Sequence, residues 1–250
     1  MPEKSGGPTA LSTDEDGMMG RMTDSSTSTP SGPPGPLTGR HLLITGAAGG
    51  LGPTVTAAAR AAGARVTPWD RDHVDLLDAV AVAAAVATLV DHEGGLDGVC
   101  HLVGGYRGGV AFEDEPLEDF DLLIDLGIRT TVNVARATAT ALMASPHGRF
   151  LTVSAPVATR PSGQSAAYSI AKAGSDAAVL ALADRFKGTG ATANVVVVNA
   201  ISTPAMREAE PDKDWSRFTM SEQIADTMVY VCSDAAGTMN GQHIRLVGAS

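Results

Sequence analysis

The sequence predicts an α/β fold built on one doubly wound parallel sheet in a single domain. Three observations carry this reading. Short, continuous apolar runs alternate with longer helix-forming segments from residue 40 onward, as expected of strands covered on both faces by crossover helices. A glycine-rich turn joins the first run to the first helix-forming segment. The length of 250 residues suits one large domain, and a chain of that size buries roughly 70% of its unfolded surface without staples.

The elements follow in order. Residues 42–44 form a short strand, and an Ala-rich helix over about 50–62 stops at Gly63. Residues 65–69 form a second strand, which Pro68 ends early or confines to a sheet margin. A helix over 76–91 leads to a third strand over 99–103. Residues 117–143 are helical but strained or broken near Gly127, since glycine is a poor residue in mid-helix. A strand over 150–153, a helix over 166–186 and a β-branched strand over 195–198 come next. A helix over 221–232, begun by Ser221 and Glu222, and a strand over 243–247 close the chain.

The first 38 residues are different. They are rich in Gly, Pro, Ser and Thr and hold the run Ser31-Gly32-Pro33-Pro34-Gly35-Pro36. Such a composition cannot bury enough apolar surface to offset its ordering entropy. A disordered tail over 1–38 is expected, ahead of a domain over 39–250. The tail has no apolar core of a secretory signal.

Composition excludes several functions. The net charge is −10, from 28 acidic against 18 basic residues, and such a surface repels nucleic-acid phosphates. No stretch reaches the roughly 18 apolar residues of a membrane span. Cys100 and Cys232 are too few for a disulfide framework or a four-thiolate zinc site. No metal, nucleic acid or membrane partner is expected, and free thiols fit a reducing cytoplasm.

The turn Thr45-Gly46-Ala47-Ala48-Gly49-Gly50-Leu51-Gly52 carries specific physics. Glycine admits positive φ and lets the backbone approach a pyrophosphate without a Cβ. The next helix offers unpaired N–H groups and a favourable dipole to an anion, and the last glycine allows close helix–strand packing. Asp70 follows Gly46 by 24 residues, at the end of the second strand. A carboxylate there accepts hydrogen bonds from ribose hydroxyls and repels a 2′-phosphate, so NAD(H) is favoured. Arg71 can pair with that phosphate, which keeps NADP(H) open. Asp75 is either a helix N-cap or a contact to the adenine amino group.

With these residues in view, positions 39–250 resemble the short-chain dehydrogenase/reductase family. The spacing of Thr45, Gly46, Gly50, Leu51 and Gly52 is similar to that family's cofactor turn. Tyr168-Ser169-Ile170-Ala171-Lys172 is similar to its Tyr-x-x-x-Lys signature. Leu102-Val103-Gly104 stands where the family has Asn-Ala-Gly, and Asn199-Ala200-Ile201 resembles the segment beside the nicotinamide. The resemblance implies a Rossmann fold and hydride transfer between a nicotinamide cofactor and a small organic carbonyl, alcohol or quinonoid substrate. It implies cofactor contacts from the turn, including Ala48, from Asp70, Arg71, Asp75, Val103 and Gly104, and from Lys172, Ile201 and Thr203. It also implies a homodimer or homotetramer, for which the Ala-rich segments 135–144 and 173–183 offer close-packing faces.

Tyr168 and Lys172 lie four apart on one helix and share a face. The Lys172 ammonium is expected to favour the phenolate and lower the Tyr168 pKa, making Tyr168 the acid/base of the reaction. Two positions depart from the family. Its catalytic serine corresponds to Ala155; the adjacent Ser154 is the remaining hydroxyl candidate, although neighbouring strand residues face opposite ways. Its helix asparagine, which holds a relay water, corresponds to Gly127. The segment after Ile201, and the glycines around Tyr106, resemble the quinonoid dihydropteridine reductase-like subgroup. A quinonoid acceptor is already electrophilic and needs less help from an oxyanion donor. Half of the family's tetrad is missing, so the other reading is a protein of this fold without redox turnover: a cyclase, an isomerase or a regulator.

Other residues complete the inventory. Tyr106, Arg107, Ala155 and Trp215 are candidate substrate contacts, the first two because they follow the carboxyl end of the central strand. Trp215 and Phe218 form a lid or a loop anchor. Cys100 and His101 face opposite sides of a strand and read as structural. Glu113-Asp114-Glu115 reads as a solvated face and helix start.

Overall fold

The computed structural model describes residues 34–247. The expected tail lies outside the described residues over 1–33. Six strands form one parallel sheet: β1 (His41–Thr45), β2 (Arg65–Trp69), β3 (Gly98–His101), β4 (Arg149–Ser154), β5 (Thr192–Val198) and β8 (His243–Leu246). Their spatial order is β2-β1-β3-β4-β5-β8. Two-residue strands β6 (Ile201–Ser202) and β7 (Thr219–Met220) pair separately. The helices are α1 (Gly52–Ala61), α2 (Ala79–Glu93), α3 (Leu117–Ile124), α4 (Thr130–Ala144), α5 (Ala166–Arg185), α6 (Pro204–Ala209) and α7 (Ser221–Cys232).

The period of two along each strand divides the core. Leu43, Val99, Phe150, Val195 and Val197 pack with residues of α2, α4 and α5. Leu42, Ile44, Cys100, Leu151, Val196 and Val198 pack with residues of α1 and α7. Cys100 and His101 therefore do face opposite ways. Pro68 lies on β2, which is an edge strand, so its missing N–H costs no ladder bond on the outer side.

The structure corrects several boundaries. Residues 34–38 belong to the folded unit: the Leu37 amide donates to the Ala62 carbonyl at 2.9 Å, and its side chain is fully buried beside β1 and α1. A Pro/Gly-rich average concealed one apolar anchor. Helix α2 starts at Ala79 because Asp78, not Asp75, caps it, accepting from the Val80 and Ala81 amides at 2.9 and 3.0 Å. Strand β3 ends at His101, which frees residues 102–104 to line the space above the sheet.

The predicted break at Gly127 takes a definite form. Residues Asp125–Arg129 make a π-helical turn between α3 and α4, a local feature that recurs at functional sites. A Cβ on Gly127 would sit 3.1 Å from the Ala171 Cβ of α5. Thr131 Oγ1 donates to the Gly127 carbonyl at 2.6 Å. A side chain at Gly127 would therefore press on α5, which closes on the backbone at this turn.

Leu37→Ala should lower stability by about 2–5 kcal/mol, the usual cost of emptying a buried leucine site. Urea unfolding should show a lower midpoint at unchanged slope; an unchanged midpoint would return residues 34–38 to the tail.

Candidate functional site

Strand order reverses between β1 and β3, since the chain leaves β1 toward β2 and returns to β3 on the other side. Such a switch point opens a crevice at the carboxyl ends of the strands. A cavity of about 830 Å³ lies there. Gly46, Ala48 and Gly49 wall it from the turn, Asp70, Arg71, Asp72 and Asp75 from the loop after β2, and Val103 and Gly104 from the segment after β3. Leu122, Asp125, Leu126 and Thr130 close it from α3, the π-helical turn and the start of α4.

The turn is shaped by its glycines. Gly46 has φ +73°, and a Cβ there would lie 3.2 Å from the Leu102 and Val103 backbones. A Cβ on Gly52 would stand 2.3 Å from the Ala47 carbonyl oxygen. By contrast, a Cβ on Gly50 would meet open space, so its backbone is approachable from outside. This cradle, with the Asp70 carboxylate at its rim, fits a dinucleotide. The Asp70 carboxylate is held below the usual range, chiefly by a hydrogen bond from His73 and also by the Asp72 amide.

Helix α5 carries Tyr168 and Lys172; neither lines the cavity, and Lys172 stands against its Gly104 wall. Lys172 Nζ donates to the Val153 carbonyl at 2.8 Å and stands 3.5 Å from where a Gly104 Cβ would be. Nζ lies 5.8 Å from the Tyr168 ring centroid. The Tyr106 ring meets the Tyr168 ring edge-on at 5.0 Å between centroids. The N-terminus of α5 is held by Glu115, whose Oε2 accepts from the Ala166 and Ala167 amides at 2.8 and 3.2 Å, an arrangement that also suits the helix dipole.

The electrostatics reverse one expectation. Burial pushes the Tyr168 hydroxyl up to about 12, with Tyr106 and Asp176 adding to the rise. Burial also draws Lys172 down to about 8, against the opposing effect of Asp176. The expected acidification by the ammonium is not found: burial sets the direction of the shift.

Residues 38–248 match the family model described as enoyl-(acyl carrier protein) reductase. The chain belongs to the short-chain dehydrogenase/reductase family. D-threitol dehydrogenase of Mycolicibacterium smegmatis is 25% identical, over 85% of this chain and 93% of that protein. The 3-oxoacyl-(acyl-carrier-protein) reductase FabG of Escherichia coli is 22% identical, over 84% and 96% respectively. A crystal structure of 3-ketoacyl-(acyl-carrier-protein) reductase from Brucella melitensis complexed with NADH superposes with a TM-score of 0.75 at 20% identity, covering 85% of this chain and 98% of that one. This last likeness supports the Rossmann sheet.

Within this short-chain dehydrogenase/reductase frame, some expected site residues stand elsewhere. The Thr45 hydroxyl is 2.7 Å from His101 Nδ1 and faces the interior. Leu51 sends its side chain into the core, leaving only its backbone for a ligand. Ile201 packs beside the α1/α7 core, and Thr203 Oγ1 caps α6 by accepting from the Met206 amide at 3.2 Å. Neither lines the cavity. Ser154 Oγ is buried without a hydrogen-bond partner, its neighbour is Asp176 on α5, and it does not line the cavity. Ala155 stands half-buried at the strand's end. Arg107 is exposed, 3.5 Å from Asp119. Trp215 packs on Phe218 and Lys213 in its own loop cluster. Asp75 Oδ1 accepts from the Leu77 amide at 2.9 Å while lining the cavity.

Four positions at or near the site escaped the sequence. Glu115 is buried at 7% exposure, not solvated, because the α5 amides draw it in. Asp125 and Leu126 reach the cavity through the π turn; their signal was the neighbouring Gly127. Asp176 is buried beneath Lys172 on the same helix face.

His101 is structural, as expected, and its tautomer follows from its partners. The Thr130 hydroxyl donates to the Leu126 carbonyl at 2.6 Å, so it accepts from His101 Nε2 at 3.2 Å, and Thr45 donates to Nδ1. Burial lowers the His101 pKa to about 3. Since the unfolded chain takes up this proton near pH 6.5, stability is full above that value and declines as pH falls toward about 3. His101→Gln should flatten this decline in urea midpoints between those limits; an identical pH dependence in wild type and variant would contradict it.

Proposed function

We propose that the protein is an NAD(P)-dependent oxidoreductase that transfers hydride to a small organic substrate, with Tyr168 as proton donor and NADH as the favoured cofactor. The observation that carries the reading is that the glycine cradle walls a cavity at the switch point and that Lys172 Nζ, four residues from Tyr168 on α5, stands 3.5 Å from where a Cβ on Gly104, one of its wall residues, would be. The backbone amides around Gly46 to Gly52 and the start of α1 would hold the pyrophosphate. Asp70 would take the adenosine ribose hydroxyls, and Lys172 the nicotinamide ribose. When bound, the nicotinamide supplies the hydride.

The protonation state of the chain's own residues suits proton donation. A Tyr168 hydroxyl near pKa 12 remains protonated across the physiological range, so it is ready to donate a proton to a reduced carbonyl or imine. Alcohol oxidation would need the phenolate, which burial disfavours. Ala155 has no hydroxyl to polarise a carbonyl. Acceptors that are already electrophilic, of quinonoid or iminium type or activated ketones, therefore suit the site best. Tyr106, edge-on against Tyr168, would contact such a substrate. A homodimer or homotetramer remains the proposed assembly; Leu117 and Ile170, on the packed helices α3 and α5, present exposed apolar side chains for it.

Tyr168→Phe should reduce NADH oxidation with a quinonoid pterin or ketone by roughly 10²- to 10⁴-fold, the usual contribution of a positioned acid. NADH affinity, read by fluorescence titration, should change little, and NADPH should bind more weakly than NADH. Wild-type protein that binds neither nucleotide would reject the reading. Biological activity that survives Tyr168→Phe without nucleotide consumption would favour the non-redox alternative.

A further inference from the structure

A buried carboxylate beneath the reacting pair has no place in the scheme so far. Helix α5 carries Tyr168, Lys172 and Asp176 at successive steps of four, so the three share one face. Asp176 is only 4% exposed. Its Oδ2 accepts from His243 Nε2 at 3.0 Å, from the edge strand β8. Its Oδ1 is buried without a hydrogen-bond partner, and so is the neighbouring Ser154 Oγ. The serine hydroxyl is close enough to favour the charged carboxylate, yet outside hydrogen-bonding geometry.

Each ion is under-compensated by itself. A buried carboxylate with one hydrogen bond is costly, and Lys172 donates to a single carbonyl, that of Val153. The other titratable groups that face Lys172 supply no negative charge: Tyr168 on the same helix stays protonated, and His101 on β3 is buried and neutral. Asp176 is the carboxylate that acts on it. His243 is partly exposed, with 29% of its side-chain surface open, and holds the far side of the carboxylate from the sheet edge.

We propose that Asp176, fixed by His243 and flanked by Ser154, is a positioning residue that keeps Lys172 charged at the crevice. This rests on the reading of Tyr168 and Lys172 as the reacting pair. The influence runs both ways: Asp176 raises the Lys172 pKa against desolvation, and Lys172 helps to hold the Asp176 carboxyl charged, although burial raises its pKa on balance. Without the carboxylate, an ammonium already near pKa 8 moves into the neutral range and loses its grip on a ribose hydroxyl as a cationic donor.

The test is a titration of lysine Nζ by NMR on the full chain, which has four lysines: Lys4, Lys172, Lys187 and Lys213. Lys172→Arg assigns the resonance. In the wild type Lys172 should titrate near 8; in Asp176→Asn the midpoint should fall by about one unit or more, the scale of a close opposite charge. Asp176→Glu should restore part of the shift. A folded Asp176→Asn variant with an unmoved Lys172 midpoint overturns the proposal. If Asp176→Asn fails to fold, Lys172→Met gives the reciprocal measurement: the Asp176 carboxyl midpoint should rise, and an unmoved value overturns the proposal equally. Neither readout needs hydride transfer, so a failure here is distinct from failure of the Tyr168 scheme.

Discussion

The crossover from β1 to β2 and the return from β2 to β3 place strands on opposite sides of β1, and the gap this creates at the strands' carboxyl ends is the constraint on which the rest depends. Glycine is required there because the backbone must turn at positive φ against residues 102–104. Asp70, just past β2, lines the same gap, and Lys172 of α5 stands against its Gly104 wall. A side chain at Gly46 or Gly52 would collide with backbone, so the cradle and the crevice are one geometric fact.

Burial is the second theme of the site. It withholds the proton of Tyr168 and weakens that of Lys172, moving both toward neutrality. The pair is therefore better seen as a proton donor beside a marginal cation than as a phenolate beside an ammonium. The π turn serves the same closure: Gly127 lets α5 approach, and Asp125 and Leu126 become cavity wall.

Much of this was legible from residue order. The strand runs, the glycine turn, the edge position of Pro68 and the disturbance at Gly127 all follow from local chemistry that tertiary contacts did not override. The Tyr168–Lys172 spacing placed both on one face without any coordinates. What was not legible depends on the third dimension. Glu115 reads as one charge in an acidic run until the N-terminus of α5 is brought to it. Leu37 is a single apolar residue whose burial is invisible in an average over a Pro/Gly-rich segment. The sign of the Tyr168 shift depends on how desolvation compares with a charge at the observed distance, and a helical spacing of four does not fix that comparison.

The central claim is that the turn and the crevice together bind a nicotinamide dinucleotide. Amide hydrogen exchange with and without NADH addresses it directly. Protection should appear over residues 46–52, 70–77 and 103–104, and along the Tyr168 to Lys172 turn of α5. Exchange that NADH leaves unchanged in the glycine turn, or protection confined to another face of the sheet, would contradict the account.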